Sequence, residues 1–210
     1  MSIKVSLRGA SRVSCLLLAA GKSSRMSGRN KLLLPFAGTS LVRRTAMEVL
    51  SINFEEMIAV TGHEADSISS ELKDLPLKVV LNKEFESGMH SSIRTGLSNL
   101  RKYHDGFFIC HSDQPELDSK MLKDMIRVFE EHEGKNIVYL SCQGKTSQPI
   151  LIPREFAPEI LQYPDGDYGC SYLLNKYSQR LAPLEIKEEM YLRDLDTPED
   201  LSLVSLAQHG

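Results

Sequence analysis

Apolar residues along the chain fall into short unbroken runs, separated by longer stretches where they recur every three or four positions. The runs predict buried strands at Val13–Leu18, Met57–Thr61, Lys78–Leu81, Gly106–His111, Asn136–Ser141 and Pro149–Ile152. Helical spacing falls between them. Ser40–Ser51 carries Leu41, Ala46 and Val49-Leu50 on one side with Arg43 and Arg44 on the other, and Ser92–Leu100 and Met121–His132 repeat the pattern. Thr197-Pro198-Glu199-Asp200 predicts the start of a last helix, with an N-cap, a proline in the first turn and two acids suited to the helix dipole. Strands alternating with helices predict an α/β chain with a mostly parallel, partly mixed sheet. Residues 163–170, with Pro164, Gly166 and Gly169, predict an irregular loop. With no 20–50-residue repeat and no Pro- or Gly-rich linker, one domain is expected over 1–210, residues 1–11 forming a flexible lead. Met89, Met121, Met125, Phe107 and Phe108 are expected in the core.

Composition narrows the picture by exclusion. Twenty-five basic and 28 acidic residues leave a net charge of −3, which excludes a polyanion-coating protein, so no nucleic acid partner is expected. The run Val13–Ala20 is too short for a bilayer, which takes about 20 apolar residues. Lys4 and Arg8 ahead of it, and Ala19-Ala20-Gly21 at its end, imitate a secretory signal, but the run leads straight into Gly21-Lys22-Ser23-Ser24-Arg25 and reads better as a strand feeding a loop. A cytoplasmic protein without a membrane partner is expected. Cys15, Cys110, Cys142 and Cys170 form no Cys-x-x-Cys pair and read as reduced core fillers.

In open parallel sheets, ligands sit beyond the carboxyl ends of the strands, so the residues following each strand are the candidates for chemistry. After the first strand, Ala19, Ala20 and Gly21 allow a sharp turn, and Lys22, Arg25, Arg29 and Lys31 place four cations in one loop. That suits a polyphosphate and equally a basic surface loop. It is not a P-loop, because Arg29-Asn30 stands where Lys-Ser/Thr is required, and no Gly-x-Gly-x-x-Gly is present. The strand Gly106–His111 ends in Ser112-Asp113-Gln114-Pro115, a carboxylate on the sheet's carboxyl edge that suits Mg²⁺ or serves as a turn former. Asn82 ends another strand, and Gly88 to Leu97 opens a helix with Ser91 and Ser92 as hydroxyl donors to an anion or a base, or as plain caps. Asp196 before Thr197-Pro198 reads locally as a helix start.

Leu18-Ala19-Ala20-Gly21-Lys22-Ser23-Ser24-Arg25-Met26 followed by Asn30-Lys31-Leu32-Leu33-Leu34-Pro35 resembles the signature loop of the molybdenum-cofactor nucleotidyltransferases, which share a glycosyltransferase-A-like fold. Asp113-Gln114-Pro115, Asp194-Leu195-Asp196-Thr197-Pro198 and Gly88-Met89-His90-Ser91-Ser92-Ile93-Arg94-Thr95-Gly96-Leu97 are similar to further motifs of that family, Ser112 replacing a glycine and His90 a serine. The resemblance runs from Val13 to Leu206. It implies a three-layer α/β/α, nucleotide-diphospho-sugar-transferase-like (Rossmann-like) fold. It further implies nucleotide binding by Leu18, Ala19, Ala20, Gly21, Lys22, Ser23, Arg25, Lys31, Gly62, Asn82, Ser91, Ser92 and Gly96, catalysis by Arg25, Lys31 and Asp113, and Mg²⁺ ligation by Asp113 and Asp196. Gln148, where the family often has a histidine, and Asp167 are expected beside the second substrate.

The activity so implied is transfer of a nucleoside monophosphate from an NTP to molybdopterin or the molybdenum cofactor, releasing pyrophosphate, with a molybdenum hydroxylase as a possible recipient of the product. CTP is favoured over GTP because Leu18–Gly21, Thr39-Ser40-Leu41 and Gly88–Leu97 resemble the cytidylyl branch. The rivals are transfer to a sugar phosphate or another phosphorylated metabolite, and a carrier that binds the cofactor without chemistry.

Overall fold

A computed structural model describes residues 11–23, 26, 29–101 and 104–187; Arg25, Asp196 and the helix expected at Thr197 lie outside them. β1 (Val13–Ala19) is followed by a 3₁₀ turn at Lys31–Leu33 and a two-stranded ribbon, β2 (Pro35–Phe36) with β3 (Thr39–Ser40). α1 (Leu41–Leu50), β4 (Met57–Thr61), α2 (Ala65–Leu72), β5 (Lys78–Leu81) and α3 (Met89–Asn99) complete one half. β6 (Gly106–His111), α4 (Ser119–Glu131), β7 (Ile137–Cys142), β8 (Lys145–Pro153), α5 (Ala157–Gln162), α6 (Ser171–Lys176) and β9 (Leu181–Glu185) follow.

The main sheet has the order β5-β4-β1-β6-β8-β7-β9. β5, β4, β1 and β6 run parallel, β8 is antiparallel to β6 and β7, and β9 is parallel to β7. Residues alternate across it as the strand period demands. Cys15, Leu17, Ala59, Phe108 and Cys110 point to the layer of α1, α2 and α4, where Val42, Ile68, Leu122 and Phe129 meet them. Leu16, Ile58, Val60, Phe107 and Ile109 point to the layer of α3, α5 and α6, against Ile93, Leu97, Ile160 and Leu173. This is the expected three-layer α/β/α arrangement. The chain leaves β1 towards β4 and β5, then crosses back to β6, so a crevice opens at the carboxyl ends of β1 and β6, the switch point where such sheets bind ligands.

Within the described residues the expected strands and helices are present, Met57–Thr61, Lys78–Leu81 and Gly106–His111 with the expected ends and the others shifted. α3 starts three residues early, at Met89, and β8 reaches back four residues to Lys145. The β7–β8 hairpin turns on Gln143 (φ 51°) and Gly144 (φ 80°), the positive pair that a tight two-residue turn needs. Residues 163–170 form the expected irregular loop. Elements missed in the sequence are α2, α5, α6, β9 and the small ribbon. All four cysteines are free and buried, with the Cys15 and Cys110 sulfurs 3.7 Å apart, and burial pushes the Cys170 thiol up to about 12. Among the described residues no helix is long and apolar enough to cross a membrane.

Candidate functional site

A cleft of about 380 Å³ lies at the β1–β6 switch point. Its first wall is the loop after β1, contributing Leu18, Ala20, Gly21, Lys22 and Ser23. The loop holds its shape through Ser23, which sits at φ 51° and whose hydroxyl donates to Asn30 Oδ1 (3.4 Å) while accepting from the Lys31 amide (3.1 Å). Asn30, buried, accepts from the Leu32 amide through the same Oδ1 (3.1 Å) and so caps the 3₁₀ turn. These contacts deliver Lys31 into the cleft on a fixed backbone. Lys22, over half exposed, reaches across the mouth to Glu86 (2.5 Å), and that hydrogen bond holds the Glu86 carboxyl below the usual carboxylate range.

The second wall is the end of β6. Ser112 fastens it to β1, its hydroxyl and amide both donating to Leu18 O (2.5 and 3.2 Å), and the Thr45 hydroxyl donates to Ser112 O (3.2 Å). Serine in place of the family's glycine thus adds a second bond to the strand junction. Asp113 then projects into the cleft and meets Lys31: Oδ2 lies 2.6 Å from Nζ, with the two side chains 19% and 11% exposed. The other carboxylate oxygen, Oδ1, is shielded from solvent and has no hydrogen-bond partner among the described residues. A sequestered carboxylate oxygen without a donor calls for a ligand atom, and a hard divalent cation that keeps waters and phosphate oxygens as its other ligands fits it. No group of three His, Cys, Asp or Glu side chains that could hold a metal by itself gathers among the described residues. Mg²⁺ is therefore compatible with Asp113 as a one-carboxylate site.

The third wall is the start of α3 with the loop facing it: Phe85, Glu86, Gly88, Met89, Ser92 and Asp167. Here the structure redistributes the expected donors. The Met89 amide donates to Asp167 Oδ1 (3.0 Å) and the His90 amide to Gly166 O (3.0 Å), so the first turn of α3 is spent on the 163–170 loop instead of an anion. The Ser91 hydroxyl donates to Gly88 O and Glu84 O, and Ser91 is buried away from the cleft. Asn82, also buried, donates through Nδ2 to Ser91 Oγ (2.8 Å) and Ser92 Oγ (3.0 Å) and accepts from the Glu84 amide (2.9 Å); it props the wall from behind. Ser92 accepts from Asn82 and lines the cleft, leaving its own proton for a ligand.

Of the residues expected to bind nucleotide, Leu18, Ala20, Gly21, Lys22, Ser23, Lys31 and Ser92 come together with Asp113 and Asp167 in this one cleft. Ala19 is buried in the strand, and Gly62 packs behind the wall, where a Cβ would lie 2.6 Å from Phe85 Cβ and 2.9 Å from Ala20 Cβ. Gly96 lies in the core, where a Cβ would stand 2.9 Å from Leu16, so its part is close helix–sheet packing and not ligand contact. Gln148 does not line the cleft; its carbonyl accepts from Gln114 Nε2 (3.2 Å), one residue behind Asp113. Met89, expected in the core, is half-buried at the cleft wall. Leu32, Phe85, Glu86, Gly88, Met89, His111 and Ser112 also line the cleft, none of them expected as a site residue from the sequence. For His111 and Ser112 the signal was available, since they immediately precede Asp113; nothing local marks Phe85 or Glu86.

Residues 15–181 match the family described as the MobA-like NTP transferase domain. The chain is similar to nicotine blue oxidoreductase of Paenarthrobacter nicotinovorans, 25% identical over 90% of this chain and 94% of the relative. It is similar to the molybdenum cofactor cytidylyltransferase of Escherichia coli K12, 24% identical over 90% and 94%. The structure of a nucleotidyl transferase from Methanothermobacter thermautotroptrophicus superposes with a TM-score of 0.78 at 23% identity, covering 94% of this chain and 97% of that one, and shows the fold to be shared.

Proposed function

As a member of the MobA-like NTP transferase family the chain is a nucleotidyltransferase, and we propose that it transfers a nucleoside monophosphate, from CTP in preference to GTP, to molybdopterin or its molybdenum-loaded form with release of pyrophosphate. The observation that carries the catalytic part is the meeting of Lys31 and Asp113 at 2.6 Å in the switch-point cleft, beside an Asp113 oxygen with no partner among the described residues. Supporting the choice of acceptor and base are the cytidylyl-like loops at Leu18–Gly21 and Gly88–Leu97 and the similarity to a molybdenum cofactor cytidylyltransferase.

The acceptor's phosphate oxygen attacks the α-phosphorus, the new P–O bond forms as the bond to the β-phosphate oxygen breaks, and the electron pair leaves with pyrophosphate. A phosphate nucleophile is already ionised, so no general base is required and the protein's share is positioning and charge neutralisation. Ala20 to Ser23 offer backbone and hydroxyl groups to the triphosphate, and Lys31, with Arg25, neutralises charge developing on the departing pyrophosphate. Lys22 changes partner from Glu86 to the triphosphate when the cleft fills. Ser92 donates to the bound nucleotide. Asp113, with Asp196 as the second candidate, would hold Mg²⁺, which when bound supplies Lewis-acid neutralisation of phosphate oxygens.

Pyrophosphate release from each NTP with Mg²⁺, in the presence and absence of molybdopterin and of a panel of sugar phosphates, tests the reading. Release with CTP that depends on molybdopterin supports it. Dependence on a sugar phosphate moves the acceptor, and no release under any condition points to a carrier.

A further inference from the structure

The start of α3 and the 163–170 loop are joined through one side chain that the mechanism does not use. His90 is fully buried, and its ring faces two main-chain carbonyls, with Nδ1 3.0 Å from Gly169 O and Nε2 2.8 Å from Ile160 O. Either neutral tautomer donates to one of these, and the doubly protonated ring to both. The rings of Tyr163, Tyr168 and Tyr172 surround it at centroid distances of 5.7, 5.6 and 6.1 Å. Around this pin the two segments touch closely. Gly88, at φ 106°, lies so near the loop that a Cβ would stand 2.4 Å from Gly166 C, and a Cβ on Gly169 would lie 3.0 Å from Met89 Sδ. Arg94 pairs with Asp165 on the next turn of the helix.

The contact reaches the cleft because its flanking residues, Met89 and Asp167, are themselves cleft wall and are bonded to each other. We propose that His90 is a positioning residue for the acceptor side of the reaction: with its ring seated between Ile160 O of α5 and Gly169 O of the loop and an N–H donated to one of them, it holds Asp167 and Met89 where the second substrate enters. This rests on the reading that Asp167 borders the acceptor. The serine that the resembled motif carries at this position has no ring to sit among the three tyrosines, so this seating belongs to this chain's histidine.

His90→Phe keeps a ring among the tyrosines and removes both ring nitrogens, while His90→Asn keeps N–H donors able to reach one carbonyl. Two measurements test them: amide hydrogen exchange across residues 165–170, and steady-state kinetics with CTP, Mg²⁺ and molybdopterin. With the loss of one N–H···O bond and of the polar contact at the second carbonyl, His90→Phe is expected to raise loop exchange and the KM for molybdopterin about tenfold, leaving kcat and the KM for CTP within about twofold, with His90→Asn between. Unchanged loop exchange with an unchanged molybdopterin KM overturns the proposal, as does an equal rise in both KM values. If the wild type makes no product with molybdopterin, the acceptor assignment falls while the exchange result still decides the pin: a rise keeps it, no rise ends it. Should His90→Phe fail to fold, His90→Asn carries the same comparison.

Discussion

Asp113 and Lys31 neutralise one another in a cleft that water can enter, so removing the carboxylate leaves an ammonium that the opening partly solvates. Asp113→Asn is expected to cost about 1 kcal/mol in stability and about a hundredfold or more in turnover, as loss of a preorganised charge at a transition state does. Thermal melts alongside pyrophosphate release check this, and matched losses would reduce Asp113 to a structural role. Asn82 and Ser92 separate the same two effects in the opposite sense. Asn82→Ala orphans the Glu84 amide and removes the donor to two buried serine hydroxyls, and is expected to lower stability by about 2 kcal/mol, seen in denaturant midpoints. Ser92→Ala, at the cleft wall, is expected to raise the KM for CTP about fivefold and to cost only about 1 kcal/mol in melts, for the one Asn82 N–H that loses its acceptor. The convergence of Lys31 and Asp113 was legible in the sequence because Lys31 falls in a loop of four cations after one apolar run and Asp113 just past the end of another. The burial of Asn82, Ser91 and Gly96 was not, because a polar residue after a strand, or a serine or glycine within a helix, carries no local mark of which side it faces.

At the scale of elements, the third wall of the cleft depends on α3 seating against the 163–170 loop. Gly88→Ala puts a Cβ 2.4 Å from backbone at a positive φ, so helix and loop must part. The expected result is a loss of about 2–3 kcal/mol in urea unfolding, more than glycine's entropy would return. An unchanged midpoint would show that the junction gives way freely. Strands with strong apolar runs, such as Val13–Leu18 and Gly106–His111, were readable from pattern alone. β9 was not, because Pro183 argues against a strand; its place on the sheet edge is where a residue lacking an N–H is tolerated. α2 buries Ile68 and Leu72 among serines, too thin a stripe to show a helical period. The polar half of β8, Lys145–Gln148, is drawn into the sheet by pairing with β7, a long-range contact that local composition does not encode.

For the whole molecule, one sheet carrying two apolar faces puts every thiol in the interior, Cys170 with its thiol raised to about 12 by burial. None of the four cysteines is expected to react with an aromatic disulfide reagent at pH 8 in the native state, and all four should react once the chain is unfolded. Rapid native labelling would place a thiol outside the core. The same sheet brings the loop after β1 and the end of β6 to a common edge, where one ligand is expected to bridge them. Calorimetric titration of CTP into the wild type and into Asp113→Asn, each with and without Mg²⁺, reads this directly. The wild type should bind CTP at least about tenfold more tightly with Mg²⁺, and Asp113→Asn should lose that increment. Equal affinity in all four titrations, or an Mg²⁺ increment that survives in Asp113→Asn, would contradict it.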